Sequence, residues 1–444
     1  GYLPFSYDIT EALKEEKNLL TVKVRDYSET CYYSRGKQKL KNGGMFYTAQ
    51  SGIWQTVWIE KVPECYIGHL KITPLYDQSS IMIQMEEEHG IKDIDYEVTI
   101  TARKMWPVKA SGKTGKPCVI MIPHMRSWSP EDPFLYDLHV RMGEDSVESY
   151  FAMRKVEVKN DKEGIPRIFL NNEPYFEKGV LDQGYWPDGL YTSPCDEAMI
   201  YDIQKMKDLG FNMIRKHIKI EPQRWYYHCD RLGLVVWQDL VNGGGKYKHW
   251  FVTYAATLMS WWKIRMRDIY SGLLARKEKE GRLEFVKEMK ETVHRLKGHP
   301  SIAAWVIFNE GWGQFQTEDM TAILRKEDPD RLIDQASGWF DQGGGDFCSL
   351  HNYFFKLKIH PEKKRASVLS EFGGYSYRIE GHSACGKLYG YGICRGKKAL
   401  NRRYRKRMEQ VKNLMCASVY TQWSDIEEEV NGVYTYDRKI RKID

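Results

Sequence analysis

Residues 193–237 carry Ser193-Pro194-Cys195-Asp196, an apolar series at Met199, Ile203, Met206 and Leu209 closed by Gly210, then Phe211-Asn212-Met213-Ile214-Arg215. They go on through Pro222 to Leu232, Gly233 and Leu234-Val235-Val236-Trp237. Ser193 as N-cap, Pro194 at the first helical position and acidic Asp196 in the first turn predict a helix start, and the three-to-four spacing of the apolar residues predicts its buried face. Phe211 to Arg215 and Leu234 to Trp237 are β-branched or aromatic runs bounded by glycines, hence strands. Strand and helix in alternation imply a parallel sheet.

The same rhythm extends outward. Strands are expected at Tyr175 to Val180, Ile302 to Phe308, Arg331 to Gln335, Phe347 to Leu350, Ser367 to Leu369 and Ala417 to Thr421. With the two above they make eight, the number that closes a (β/α)8 barrel, whose functional residues sit at the C-terminal strand ends. Upstream, residues 1–160 read as β-structure. Leu19 to Val24, Gly52 to Ile59, Ile81 to Met85 and Tyr96 to Ile100 alternate or carry β-branched residues between turn formers. A seam near Pro63 to Tyr66 leaves Ile67 to Val158, about the hundred residues of an immunoglobulin-like sandwich. The expected organisation is therefore multidomain: a short β-sandwich segment over 1–63, an immunoglobulin-like sandwich over 64–162 and a barrel over 163–444.

Composition narrows the function classes. The 444 residues hold 67 Lys and Arg against 60 Asp and Glu, a net charge of +7. Nine Lys or Arg and one acid, Glu409, fall within Arg395 to Lys412, where Leu400, Tyr404, Met408, Val411 and Met415 recur at helical spacing. This reads as a helix with a solvated basic face rather than a nucleic-acid-binding surface. No apolar run approaches the roughly 18 residues that span a bilayer. The nine cysteines never form Cys-x-x-Cys, which argues against a disulfide framework or zinc cluster and favours a reducing, cytoplasmic setting. The start, Gly1-Tyr2-Leu3-Pro4, shows no targeting segment to read, so the compartment stays open. Gly112-Lys113-Thr114 and Gly243-Gly244-Gly245-Lys246 do not complete a phosphate-binding loop, and the serine-hydrolase elbow, zinc-protease and dinucleotide fingerprints are absent from the sequence.

The expected strand ends carry Arg215 and His217, Asp239, Asn309-Glu310, His351 and Tyr353, Glu371, and Trp423; Asp182 follows the first strand. Two carboxyls facing across a pocket are the minimal equipment for glycoside cleavage, one protonated as acid and the other ionised to attack. Ile307-Phe308-Asn309 and Gly311-Trp312 give Glu310 an apolar setting that favours its neutral form, so it is assigned the acid. Glu371, in Leu369-Ser370-Glu371-Phe372-Gly373-Gly374, is assigned the nucleophile, with Arg215 or Tyr353 to keep it ionised and the glycines to admit a sugar close to the backbone. Tyr353 and Trp423 read also as packing aromatics, His217 and His351 as structural histidines, and Asp182 and Asp239 as capping or loop residues.

His299-Pro300-Ser301-Ile302 leading to Phe308-Asn309-Glu310-Gly311, Ile214-Arg215-Lys216-His217, Gln183-Gly184-Tyr185-Trp186-Pro187-Asp188-Gly189 and Ser370-Glu371-Phe372-Gly373-Gly374 resemble glycoside hydrolase family 2, the β-galactosidase, β-glucuronidase and β-mannosidase group. Ser51 to Trp58 resembles the end of that family's jelly-roll domain, and Trp128 to Tyr136 the close of its immunoglobulin-like domain. The resemblance implies a retaining hydrolase with Glu310 as acid/base and Glu371 as nucleophile. It further implies Asn309 on the sugar 2-hydroxyl, Arg215 and Tyr353 holding the nucleophile, Trp423 as sugar platform, and His217 and His351 as hydroxyl contacts, with residues 1–62 as the C-terminal part of the jelly roll.

Two departures bear on substrate. The Asn-x-Lys pair of β-glucuronidases is missing, since no Lys stands two residues after Asn431, and Glu427-Glu428-Glu429 would repel a carboxylate they faced. A neutral sugar is expected, galactoside first, with β-mannoside or α-L-arabinoside cleavage as the alternative decided by loops such as 240–262. The Glu and His that bind magnesium in the large β-galactosidases are replaced by Asp239-Leu240-Val241-Asn242, so no metal and no cofactor is expected. The expected partner is carbohydrate, without nucleic acid or membrane; self-association, common in the family, is left open. The rival from another class is a catalytically silent carbohydrate-binding protein.

Overall fold

The computed structural model of the chain describes residues 1–444 apart from 249, 256–258, 260–265, 354–356, 358–361 and 413. Eight parallel strands form one sheet: β1 Glu177–Asp182, β2 Met213–Lys216, β3 Val235–Asp239, β4 Ile302–Asn309, β5 Leu332–Ser337, β6 Phe347–Asn352, β7 Ala366–Gly373 and β8 Ala417–Thr421. Hydrogen-bonded neighbours run β5-β4-β3-β2-β1-β8-β7-β6, so β1 and β8 are paired and the remaining seam lies between β5 and β6. That seam is bridged by Asp346 N–H donating to the Ile333 carbonyl at 2.8 Å and by Ser349 Oγ donating to Asp334 Oδ2 at 2.7 Å. All eight sequence-predicted strands are present. Several run one to four residues further than expected, because Asp182, Asp239, Asn309, Ser337 and Glu371 stay in the ladder as polar residues that hydrophobic patterning does not count.

Helices α1 Asp196–Asp208, α2 Gln223–Leu232, α3 Lys279–Leu296, α4 Thr317–Glu327 and α5 Lys397–Lys412 surround the barrel. Met199, Ile203 and Met206 of α1 and Leu400, Tyr404 and Val411 of α5 join one core with Val180, Ile214, Val236 and Leu369 of the strands. The apolar stripe of α5 is buried and Lys398, Arg402, Arg405 and Lys406 are exposed. The cap of α1 differs from expectation. The helix begins at Asp196 with Cys195 at the cap, and Ser193 Oγ donates to the Cys195 carbonyl at 2.9 Å instead of capping. Inside the barrel a second cluster includes Leu181, Met213, Val235, Trp237, Val306 and Phe347, with Trp237 stacked on Phe347 at 4.7 Å between ring centroids.

Residues 67–151 form a sandwich of two antiparallel sheets. Ile67–Leu75, Ser80–Glu87 and Cys118–Met121 make one, and Val108–Lys113, Asp95–Thr101, Tyr136–Met142 and Asp145–Phe151 the other. Their alternating inward residues, from Ile81, Ile83 and Met85 to Leu138 and Val140, make its core. Trp128 Nε1 donates to the Asp230 carbonyl at 2.7 Å and Tyr150 OH to Asp230 Oδ2 at 2.7 Å, tying this sandwich to α2. Residues 1–63 differ from expectation. Leu19 to Val24 and Gly52 to Ile59 are not strands, and Leu19, Leu20, Val57, Trp58 and Ile59 are exposed. An alternating run becomes a strand only with a ladder partner and a face to bury, and these runs have neither. Among the described residues, the one strand pair in this segment is Gln38–Lys39 with Tyr47–Thr48, and no jelly-roll sheet is formed.

Candidate active site

The C-terminal strand ends bring most of the expected residues into one buried cluster centred on Arg215. Its five N–H groups are all used. Nε and Nη2 make a paired contact to Asp239 at 2.9 Å each, Nη2 also reaches Asn309 Oδ1 at 2.9 Å, and Nη1 donates to Glu371 Oε1 and the Ser370 carbonyl at 3.1 Å each. A guanidinium so placed fixes residues from β3, β4 and β7 against one another. Glu371 Oε2 accepts from Tyr353 OH, and Tyr353 is stacked on Tyr391 at 3.9 Å. Burial would raise the Glu371 carboxyl, but the charges of His351, His217 and Arg215 and the Tyr353 hydroxyl hold it at about 2. His217 is itself pushed well below its usual range by burial and is neutral at neutral pH, so its charge is not part of what keeps Glu371 ionised there, whereas the Arg215 guanidinium and the Tyr353 hydroxyl are.

Glu310 follows β4 in a left-handed conformation, φ +52°, with its N–H donating to the Ser337 carbonyl at 3.0 Å. Gly311 continues the turn at φ +76°, and a Cβ there would stand 2.3 Å from the Phe340 ring. This turn carries Glu310 away from the ladder to within 2.8 Å of His351 Nδ1. One oxygen each of Glu310 and Glu371 and a ring nitrogen of His351 lie within 4.8 Å of one another. Among the described residues this is the one His and carboxylate group tight enough to hold a metal ion, but Arg215 already supplies positive charge beside Glu371 and His351 is hydrogen-bonded on both sides.

Several expected roles change. His351 was expected to contact a sugar hydroxyl, yet Nδ1 faces Glu310 and Nε2 lies 3.0 Å from Ser337 Oγ, so neither nitrogen is free. Trp423 was expected as a sugar platform, but it has no exposed surface and packs in the barrel's outer core beside Tyr434. The residue that the end of β8 does bring to the site is Thr421, whose Oγ1 is 3.3 Å from Tyr353 OH. Asp182 is bonded to Lys216 and the Gly184 N–H, within a buried ion cluster completed by Glu221, and Asp239 is consumed by Arg215 and His217. Gly373 and Gly374 make room for protein aromatics, not a sugar: a Cβ would meet Tyr420 at 2.4 Å and Tyr391 at 2.5 Å. Asn309 gives its carbonyl oxygen to Arg215 and retains its NH2 as donor, and His217, with Nδ1 on Asp239, retains Nε2 as acceptor.

The sequence reading missed the segment from Ser34 to Thr48, which lies across the barrel mouth. Arg35 donates to the Gly244 and Gly245 carbonyls, and Tyr47 OH donates to Glu429. Glu427 accepts from Asn42 and the Thr48 N–H, and Glu428 from the Gly44 N–H. The three glutamates therefore bind this segment, which removes the repulsion expected of them. Loop 240–262 falls partly outside the described residues.

The sequence profile described as "Glycosyl hydrolases family 2, TIM barrel domain" matches residues 194–363, and that described as "Glycosyl hydrolases family 2" matches 65–154, together more than half of the chain. The chain belongs to glycosyl hydrolase family 2. Among family members, a putative beta-glucuronidase of Formosa agariphila is 26% identical over 357 residues, covering 76% of this chain and 30% of that one. A beta-galactosidase of Leuconostoc mesenteroides is 25% identical over 373 residues, covering 78% and 32%. The chain thus spans about a third of the length of these relatives. In structure, the beta-D-glucuronidase of Dictyoglomus thermophilum superposes with a TM-score of 0.64 at 15% identity, over 85% of this chain and 67% of that one. The family 2 fold, sandwich plus barrel, is common to both. Among the described residues no helix is long and apolar enough to cross a membrane.

Proposed function

We propose that the chain is the catalytic part of a retaining β-glycosidase, with residues 64–162 as its sandwich and 163–444 as its catalytic barrel. The observation that carries this reading is the pairing of Glu310 with Glu371 within 4.8 Å, Glu371 being held ionised by Arg215 and Tyr353. Carboxyls about 5 Å apart suit double displacement, whereas inversion needs room for a water between them. Glu371 attacks the anomeric carbon while Glu310 gives its proton to the departing glycosidic oxygen. Glu310, now ionised, takes a proton from water, whose oxygen displaces Glu371 from the glycosyl ester. Asn309 NH2 and His217 Nε2 serve the sugar hydroxyls as donor and acceptor.

β-Galactosides are the first substrates to test, in line with the beta-galactosidases among the relatives. A second reading, β-uronosides, is favoured by Lys37, which lies near enough to His217 and Glu429 to act on their ionisation and has no carboxylate within ion-pair distance among the described residues. The test is a nitrophenyl panel of β-galactoside, β-glucuronide, β-galacturonide, β-mannoside and α-L-arabinoside. Turnover of one sugar with retained configuration, abolished by Glu371→Gln, supports the reading. Unchanged turnover in Glu371→Gln defeats it, and binding of the sugar with no release of nitrophenol points to a silent carbohydrate binder.

A further inference from the structure

Glu310 is joined to the barrel interior by an unbroken line of hydrogen-bonding groups. From Glu310 Oε1, His351 Nδ1 is 2.8 Å away, and His351 Nε2 is 3.0 Å from Ser337 Oγ. Ser337 and Ser349 Oγ are 3.4 Å apart with either able to donate, and Ser349 donates to Asp334 Oδ2 at 2.7 Å. Ser370 Oγ stands beside them, accepting from Ser337 at 2.9 Å and from Ser349 at 2.6 Å and donating to the Leu350 carbonyl at 3.2 Å. The line crosses between β5 and β6 at the seam where the ladder is open, with Ser370 of β7 beside it. Asp334 is fully buried on β5, and its Oδ1 has no hydrogen-bond partner among the described residues. Nothing in double displacement at Glu310 and Glu371 requires a carboxyl at that depth.

We infer that Asp334, Ser349, Ser337 and His351, braced by Ser370, form a proton-coupling line through which Asp334 sets the protonation of Glu310. This rests on the reading of Glu310 as acid/base. The proton balance allows two states. In one, Asp334 is ionised and every donor points toward it: Ser349 to Asp334, Ser337 to Ser349, His351 Nε2–H to Ser337, and the Glu310 acid to His351 Nδ1. In the other each proton has moved one acceptor along, so that Asp334 holds a proton, His351 carries it on Nδ1, and Glu310 is ionised. One proton is shared between two carboxyls, and the two states are those Glu310 needs before and after the leaving group departs.

Burial holds Asp334 up at about 6. The charged and titratable groups facing the line are Glu310 after β4, Glu371 on β7, Arg215 on β2, Asp239 on β3 and His217 after β2, with Tyr353 after β6 on the Glu371 side. Arg215 and Asp239 are paired with each other, and Glu371 stays ionised far below neutral pH. They therefore contribute a nearly constant field across the exchange. His351, Ser337, Ser349, Ser370 and Asp334 are positioning residues in this scheme.

The full chain is measured in two ways. The pH profile of kcat/KM is recorded for the wild type, Asp334→Asn, Ser349→Ala and Ser349→Thr, and the ring nitrogen shifts of histidine-labelled protein report the His351 tautomer. Asp334→Asn removes the carboxyl that favours protonated Glu310 and Ser349→Ala cuts the line to it, so the basic limb moves down by about one pH unit in both, and Ser349→Thr restores it. The wild-type His351 tautomer is Nε2–H and becomes mixed in both broken-line variants. Should Asp334→Asn fail to fold, Ser349→Ala against Ser349→Thr decides alone. An unchanged limb together with an unchanged tautomer in Ser349→Ala overturns the proposal. Azide rescue of Glu310→Ala tests the acid/base reading separately: its failure, with a tautomer that still follows Ser349, removes the catalytic use of the line and leaves its geometry.

Discussion

At the residue scale, ionisation decides most of what the site can do. Tyr353 OH bonds to the charged form of Glu371, so removing it favours the neutral form. In Tyr353→Phe the acidic limb of the kcat/KM profile should rise by about one pH unit and kcat should fall on the order of tenfold, measured with an aryl glycoside. Because Glu371 is depressed in the folded chain, the stability it contributes is present above the unfolded value of about 4.3 and lost as pH falls toward about 2. Glu177 behaves oppositely. Fully buried at the start of β1, it accepts from Trp237 Nε1 at 2.6 Å and is raised to about 7. Between about pH 4.5 and 7 the unfolded chain releases this proton while the folded chain keeps it, so stability falls as pH rises through that window. Glu177→Gln keeps an acceptor for Trp237 and should raise stability at pH 8 by on the order of 2 kcal/mol, with little change at pH 4, by thermal unfolding at the two pH values.

At the element scale, the turn after β4 is the most constrained feature. Gly311→Ala forces a side chain into φ +76° and against Phe340, and should cost about 1–3 kcal/mol while displacing Glu310. Unfolding midpoint and kcat/KM should fall together. Helix α5 provides the contrast. Leu400→Ala should cost about 2–5 kcal/mol by leaving a cavity in the barrel's outer core, whereas Lys398→Glu or Arg402→Glu should stay within about 0.5 kcal/mol. Denaturant unfolding separates the two outcomes. The elements were largely legible in the sequence because helix stripes, glycine stops and β-branched runs are local properties, as the extents of α2 and β8 illustrate. Leu19 to Val24 were not, since the same alternation without a partner strand remains exposed chain.

At the scale of the whole molecule, Asp230 joins the sandwich to the barrel. It accepts from Tyr150 OH, lies 2.7 Å from His299 Nδ1 and takes the Ser301 N–H at 2.8 Å just before β4, while its carbonyl receives Trp128. Asp230→Ala removes the shared acceptor of Tyr150 OH, His299 Nδ1 and the Ser301 N–H, leaving the first two only each other at 3.1 Å and the buried Ser301 N–H unmet, and should destabilise the chain by about 1–3 kcal/mol. Limited proteolysis should show the sandwich and barrel separating, and a variant cut no faster than wild type would count against the hub. The Ser34 to Thr48 segment acts at the same scale by engaging Glu427, Glu428 and Glu429 across the mouth.

The sequence by itself determined the eight-stranded barrel and the sandwich before it, and it singled out Glu310 and Glu371, which the structure brings within 4.8 Å, because periodicity and short motifs are carried by neighbours along the chain. Only the tertiary structure decided that Arg215 spends all five donors on three strands, that His351 is bonded on both sides and that Trp423 is buried packing. It alone joined Asp334 to Glu310 and turned Glu427 to Glu429 toward residues nearly four hundred positions away. Hydrogen-bond saturation, burial and charge are sums over everything a residue touches in space, and in a closed barrel those neighbours come from strands far apart in the chain.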